Sequence, residues 1–162
     1  MAMTIKQRVA AATAIATAIA IPAEGLRYYA YQDVGAGILT TCYGHTGADV
    51  IKNRKYSLDE CSALLTEDMA HAITLVERCQ PGLPVPVLAA FSDAVFNAGP
   101  TIACDTKNST AARLLTAKNF TAACDQLPRW SRARVGGVLV ELPGLVKRRA
   151  KERELCLTWS QS

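Results

Sequence analysis

Charge is scarce in this 162-residue chain, where only 20% of residues are Asp, Glu, Lys or Arg. Half of the residues are apolar, and the mean hydropathy is +0.11. Disorder is thereby excluded as a global description, because disordered chains are apolar-poor and charge-rich. Histidine occurs only twice and no Cys-x-x-Cys pair is present, so no metal site is expected. Glycine numbers only 10, without a three-residue period, and no heptad repeat is sustained. Collagen-like and coiled-coil readings therefore fail. No second long apolar run follows the first, which excludes a multi-span membrane protein. Internal repeats and low-complexity tails are absent beyond an Ala/Thr-rich start. What remains is a chain long enough to bury a real core as one domain, or as two small lobes sharing a long helix.

The formal charge is +4. That value favours acidic partners weakly and does not by itself indicate nucleic acid, so no nucleic-acid partner is expected. Most of the excess lies late: Arg129, Arg132, Arg134, Lys147, Arg148, Arg149, Lys151 and Arg153 face only Glu141 and Glu152. Either a solvated helix face with i,i+4 pairs or a surface attracting a polyanion fits this run. The six cysteines are Cys42, Cys61, Cys79, Cys104, Cys124 and Cys156. Even in number and dispersed, they suit disulfides in an oxidising compartment better than buried free thiols in a reducing one. Spacing does not choose among the fifteen pairings that six cysteines allow.

Met1–Arg8 contains Lys6 and Arg8 and no acid, and Val9–Ala23 then runs 15 residues without a charge. This run is shorter than the roughly 18 residues of a spanning helix. It admits three readings: a cleaved signal peptide, a marginal membrane anchor, or an ordinary first helix packed on a domain. Ile5, Val9, Ala12, Ala16 and Ile19 fall on one face of such a helix.

Tyr28–Gln32 and Ile38–Tyr43 read as strands around the turn chemistry of Asp33-Val34-Gly35-Ala36-Gly37, and Gly44–Asn53 reads as a loop. Ser57-Leu58-Asp59-Glu60 is a capping box opening a helix to about Cys79. Its apolar residues repeat at three- and four-residue steps. A rigid break at Pro81–Pro86 precedes a second helix, opened by Pro86 and stopped by Gly99-Pro100. Short helices are expected at Thr110–Ala117 and Phe120–Leu127, a turn at Gly136-Gly137, and a last basic helix from Pro143 to about Leu157.

The stretch richest in chemistry is Glu24-Gly25-Leu26-Arg27-Tyr28-Tyr29-Ala30-Tyr31-Gln32-Asp33, followed by Thr40-Thr41-Cys42-Tyr43-Gly44-His45-Thr46-Gly47. Two carboxylates bracket a strand, and a hydroxyl lies on its partner. Glycoside hydrolysis needs such a set: one carboxylic acid protonates the leaving oxygen, and a second carboxylate handles water or the developing cation. Two acids nine residues apart also arise by chance. Trp130 and Trp159 read as core residues, and the closely spaced Tyr28, Tyr29 and Tyr31 do not single out a sugar-stacking face.

These motifs together resemble the phage-type lysozymes of glycoside hydrolase family 24, especially endolysins of lambdoid phages. The resemblance continues through Phe96-Asn97-Ala98-Gly99, Ala123-Cys124-Asp125-Gln126-Leu127-Pro128-Arg129-Trp130, Gly144-Leu145-Val146-Lys147-Arg148-Arg149 and Glu152-Arg153-Glu154-Leu155. It spans Glu24 to about Trp159. It implies a mostly helical α+β, two-lobed lysozyme-like fold, with a small β-hairpin lobe over about 24–78 and a helical lobe over about 79–162. It implies hydrolysis of the β-1,4 bond between N-acetylmuramic acid and N-acetylglucosamine in peptidoglycan, causing host cell lysis without a cofactor. Glu24 would be the general acid. Asp33 with Thr40 would position a water on the far side of the sugar, in a single displacement with inversion. Six residues, Val34 to Leu39, separate Asp33 from Thr40, one more than the family's usual spacing. A bulge or longer turn at Gly35-Ala36-Gly37 would absorb the extra residue, and Thr41 is the alternative hydroxyl. The resemblance also suggests that His45 pairs with Asp68, that Thr46, Phe96 and Asn97 line the glycan cleft, and that Arg148 or Arg149 pairs with Glu24.

Cleavage near residue 20 would strip the helix that ends at Glu24. The resemblance therefore favours a signal-anchor-release segment over 1–23, transiently in the host inner membrane and then part of the periplasmic enzyme. Its low Leu and Phe content makes exit easy. The catalytic domain would occupy 24–162 and act as a monomer. Static disulfides are expected, pairing Cys42 with Cys61, Cys79 with Cys104 and Cys124 with Cys156. The alternative is a non-catalytic wall-binding or membrane-disrupting phage protein on the same fold.

Overall fold

The computed structural model describes residues 1–33 and 37–161. Helix α1 (Ile5–Glu24) opens on a capping box: the Gln7 backbone N–H donates to the Thr4 hydroxyl oxygen, and the Thr4 N–H donates to the Gln7 side chain. Its core stripe is Ala12, Ala16 and Ala20, small residues at four-residue steps that let α1 lie close to its neighbours. Val9 and Ile15 pack partly against the same core. Ile5 instead stands exposed on the first turn, outside the face expected for it. Arg8 fixes this end of the helix through Glu77 and the Leu83 carbonyl. Among the described residues, no helix is long and apolar enough to cross a membrane.

Gly25, with φ of +69°, ends α1 at Glu24 and turns the chain into β1 (Arg27–Gln32). The sheet has the order β1, β2 (Leu39–Cys42), β3 (His45–Thr46), all antiparallel. Residues expected as loop thus contribute a short third strand. The β1–β2 register shifts between Arg27 and Tyr31, so an irregularity lies in β1 itself. Of Gly35-Ala36-Gly37, to which the extra residue was assigned, Gly35 and Ala36 lie outside the described residues, as does Val34. The ends of that turn close through Gly37 N–H to Asp33 carbonyl and Asp33 N–H to Ile38 carbonyl, at 2.8 and 2.9 Å.

Helix α2 (Leu58–Cys79) has the expected Ser57/Glu60 capping box and links the sheet to the helical body. Disulfides fasten both of its ends: Cys42–Cys61 to β2, and Cys79–Cys104 to the short α4 (Thr101–Cys104). Helix α3 (Val85–Ala98) is the central element, buried from Val87 to Val95 and packed against α1, α2 and the last helix. Two short helices, α5 (Thr110–Thr116) and α6 (Phe120–Cys124), follow. The helix expected through Leu127 stops at Cys124, and a 3-10 turn with Pro128 covers Leu127–Trp130. Trp130 and Trp159 pack partly into the core, as expected.

A second hairpin, β4 (Arg132–Val135) and β5 (Val138–Glu141), surrounds Gly136-Gly137, where only a turn was expected. Both glycines have positive φ, as the tightest hairpin turn requires. Helix α7 (Pro143–Leu157) is tied to α6 by Cys124–Cys156. Its basic run is not a uniformly solvated face. Lys147, Lys151 and Arg153 are exposed, but Arg148, Arg149 and Glu152 are buried against α3.

Candidate active site

A cleft of about 550 Å³ lies between the sheet and the helical body. Glu24 enters it from the end of α1, Asp33 from the end of β1, and Thr40 from β2. Thr46, Phe96 and Asn97 also line it, as the motifs suggest. Thr41, the alternative hydroxyl, points away. It is fully buried and lies 3.5 Å from the Arg27 carbonyl, so strand alternation leaves Thr40 on the cleft side.

The two carboxylates meet different surroundings. The Glu24 side chain is 20% exposed, and its Oε1 receives Nη1 of Arg148. Oε2 lies beside Gly44, where an added Cβ would come within 3.1 Å of it. Gly44 also has φ of +78°, so glycine is required twice over: for the turn and for the close approach. Asp33 lies at the exposed mouth of the hairpin. The Thr40 hydroxyl donates to the Ile38 carbonyl at 3.1 Å, which leaves its oxygen lone pairs free to accept.

Arg148 is the hub behind Glu24. Its Nε and Nη2 donate to the two oxygens of Asp93 at 2.9 and 2.8 Å, a bidentate pair in which Asp93 is fully buried. Burial pulls the Arg148 pKa down. Hydrogen bonds and charge from Asp93 and then Glu24 outweigh that and hold the guanidinium above its ordinary value. Beside it, Arg149 donates from Nη2 to Asn97 Oδ1 at 2.7 Å and lies 2.9 Å from Glu152 Oε1. Asn97 is therefore held as well as exposed to the cleft. Of the two arginines suggested as partners for Glu24, Arg148 is the one bonded to it. Asp93 lies inside an apolar helical run, and no local signal marked it. Its partner is 55 positions away.

On the sheet side, His45 is bracketed by two carboxylates: Nδ1 lies 2.8 Å from Asp68 on α2 and Nε2 3.1 Å from Asp49. The expected His45–Asp68 pair is present, and Asp49 is an addition. Burial lowers the His45 pKa, but hydrogen bonds to Asp68 and Asp49 bring it above 6.5. Burial dominates at Asp68 and raises its pKa despite His45. Tyr31, Asp68 and His71 line the cleft too, although none was singled out as a cleft residue. Strand alternation back from Asp33 would have marked Tyr31, and helical spacing from Asp68 would have marked His71. Among the described residues, no cluster of His, Cys, Asp and Glu is suited to hold a metal.

Comparison with known proteins points to one family. The Phage lysozyme family model matches residues 22–152. The chain is 39% identical over 142 residues to a SAR-endolysin of Bacteriophage PS34, covering 85% of this chain and 78% of that protein. It is 37% identical over 142 residues to a SAR-endolysin of Enterobacteria phage P21, covering 85% and 79%. Among solved structures, the muramidase domain of SpmX from Asticaccaulis excentricus superposes with a TM-score of 0.74 at 25% identity, covering 91% of this chain and 95% of that one.

Proposed function

The chain belongs to the phage lysozyme family, and from that premise we propose how its cleft works. The protein is a lysozyme, a peptidoglycan-hydrolysing endolysin. We assign Glu24 as the general acid. Its Oε1 is occupied by Arg148, so Oε2 is the oxygen that holds the proton for the leaving sugar. Asp33 accepts a proton from the attacking water. Thr40, its own O–H committed to Ile38, accepts the water's second hydrogen and aims the lone pair at the anomeric carbon. The observation that supports this most is the convergence of Glu24, Asp33 and Thr40 on one cleft, with Arg148 fixing the acid from behind.

The bond cut is assigned as the β-1,4 linkage from N-acetylmuramic acid to N-acetylglucosamine, with inversion. Digested peptidoglycan should show new reducing ends on N-acetylmuramic acid, formed first as the inverted anomer. New ends on N-acetylglucosamine, or anhydro products, would refute this.

Residues 1–23 are assigned a double role: a weakly apolar segment that passes through the inner membrane, then the helix that ends on Glu24. The uncharged run abutting the acid supports it, as do the SAR-endolysin names of the relatives. While the segment is inserted, Glu24 is held at the bilayer face and Arg8 is parted from Glu77. Fractionation of expressing cells before and after depolarisation tests this. Full-length protein should move from membrane to periplasm. Protein that is only cytosolic, or trimmed near residue 20, would contradict it. Monomeric action is assigned too, since all the groups named come from one chain.

A further inference from the structure

Tyr28 and Tyr29, which the sequence alone does not place, stand open at the start of β1. Arg27, Tyr28 and Tyr29 are successive exposed residues, with Tyr28 40% and Tyr29 57% exposed. A regular strand sends neighbouring side chains to opposite faces, so one ring would ordinarily be hidden. The irregularity in the β1–β2 register falls across these positions and leaves both rings outside. Among the described residues, neither phenol hydroxyl has a protein partner.

These residues line a surface hollow of about 610 Å³, within the roughly 300–1,000 Å³ usual for ligand sites. The hollow shares Glu24 and Tyr31 with the catalytic cleft, so the two adjoin at the acid. The Arg27 guanidinium lies 4.8 Å over the Tyr31 ring and steadies the boundary between them. Lys55 is bridged to Tyr29 through the backbone. Among the described residues, neither Arg27 nor Lys55 makes an ion pair. Glu24 is the one acid lining the hollow, and Arg148 already holds it. The surface therefore offers aromatic faces and uncompensated positive charge. A tyrosine presents an apolar face and a polar tip at little cost in conformational entropy, which suits the C–H face and hydroxyl edge of a pyranose. The positive charge suits the carboxylates of peptidoglycan stem peptides and excludes no sugar.

We infer that this hollow is a second glycan-binding surface, which takes the leaving portion of the same peptidoglycan strand whose bond is cut in the cleft. Glu24 protonates the leaving oxygen, so sugars beyond the cut bond pass the side where the hollow begins. Tyr28 and Tyr29 stack on them, and Arg27 and Lys55 face their stem carboxylates. The surface touches no reacting atom. It raises affinity for long strands over fragments that fill only the cleft. This rests on the cleft being the glycan site and Glu24 the acid.

Steady-state hydrolysis of soluble, uncross-linked peptidoglycan strands of two lengths tests it. The wild type should have a lower KM for long strands than for short ones. Tyr28→Ser combined with Tyr29→Ser should abolish that preference, raising KM for long strands about tenfold with kcat held. Tyr29→Trp should keep the preference, because the ring carries it, and it serves as the control should the double variant fold poorly. An unchanged preference in a folded double variant would overturn the inference. A loss confined to cross-linked sacculi and absent on single strands would assign the hollow to a neighbouring strand and overturn it too. So would a double variant that loses binding to phosphatidylglycerol vesicles while keeping its preference for long strands, since the tyrosines would then face a membrane. Full activity of Glu24→Gln would defeat the acid assignment, while the length dependence of KM would still report on the hollow.

Discussion

The two walls of the cleft are built on opposite principles. The helical wall presents Glu24 backed by buried, mutually bonded charges: Arg148 clamped on Asp93, and Arg149 on Asn97 beside Glu152. The sheet wall presents Asp33 and Thr40 on short strands, fastened to α2 by one disulfide and one histidine pair. A buried charge cluster fixes one geometry and penalises the loss of any member. A small sheet with little core of its own needs covalent and ionic ties to hold its position. Glu24 is therefore held by electrostatics, and Asp33 and Thr40 by tethers.

The sharpest way to break this contrast is Arg148→Met. It leaves Asp93 buried without its partner and Glu24 without its clamp. Stability should fall by about 3–5 kcal/mol in denaturant unfolding, with lytic activity lost beyond the fraction unfolded. On the sheet wall, the paired change Cys42→Ser with Cys61→Ser should cost about 2–4 kcal/mol. Activity should then fade on warming well before the helical body melts, as followed by turbidity clearing alongside circular dichroism. If both walls melted together, the tethering view of the sheet would be wrong. Where the walls touch, Gly44→Ala pushes a methyl toward Glu24 Oε2 and strains a left-handed backbone. A fall in kcat of about ten- to a hundred-fold is expected, with KM little changed.

The smallest effect separates ion pair from tether by pH. The His45 pKa is raised in the fold, so its stabilisation is complete below about pH 6.5 and disappears as pH rises through the folded value. Asp68 is raised as well and acts in the same direction, while exposed Asp49 is lowered and opposes weakly. The melting-temperature gap between the wild type and His45→Gln should narrow from about pH 6 to about pH 8.5. A gap independent of pH would mean that the ring serves only as a neutral spacer.

Much of the sheet wall was legible in sequence, because its chemistry is local. Asp33, Thr40 and His45 lie within one short stretch just after Glu24, and Ser57 with Glu60 announces α2. The three disulfides are also the expected ones. The supporting half of the helical wall was not legible. Asp93 looks like an isolated polar residue in an apolar helix, Glu152 looks like a member of a solvated basic face, and Arg149 stood only as an alternative partner of Glu24. Only the packing of α3 on α7 joins them, across more than fifty positions. The β4–β5 hairpin was missed for a different reason. Its exposed strands mix Arg with Val and alternate too weakly to stand out, although Gly136-Gly137 between two four-residue runs is a hairpin signature. The Thr4 and Gln7 capping box is masked in sequence by the uncharged apolar run that follows it.

The most direct test of the central assignment is the lytic activity of Glu24→Gln on purified peptidoglycan, measured with its melting temperature. The amide keeps the shape of the side chain and removes its proton. Complete loss of clearing at an essentially wild-type melting temperature is expected. Clearing at a rate near that of the wild type would contradict Glu24 as the acid.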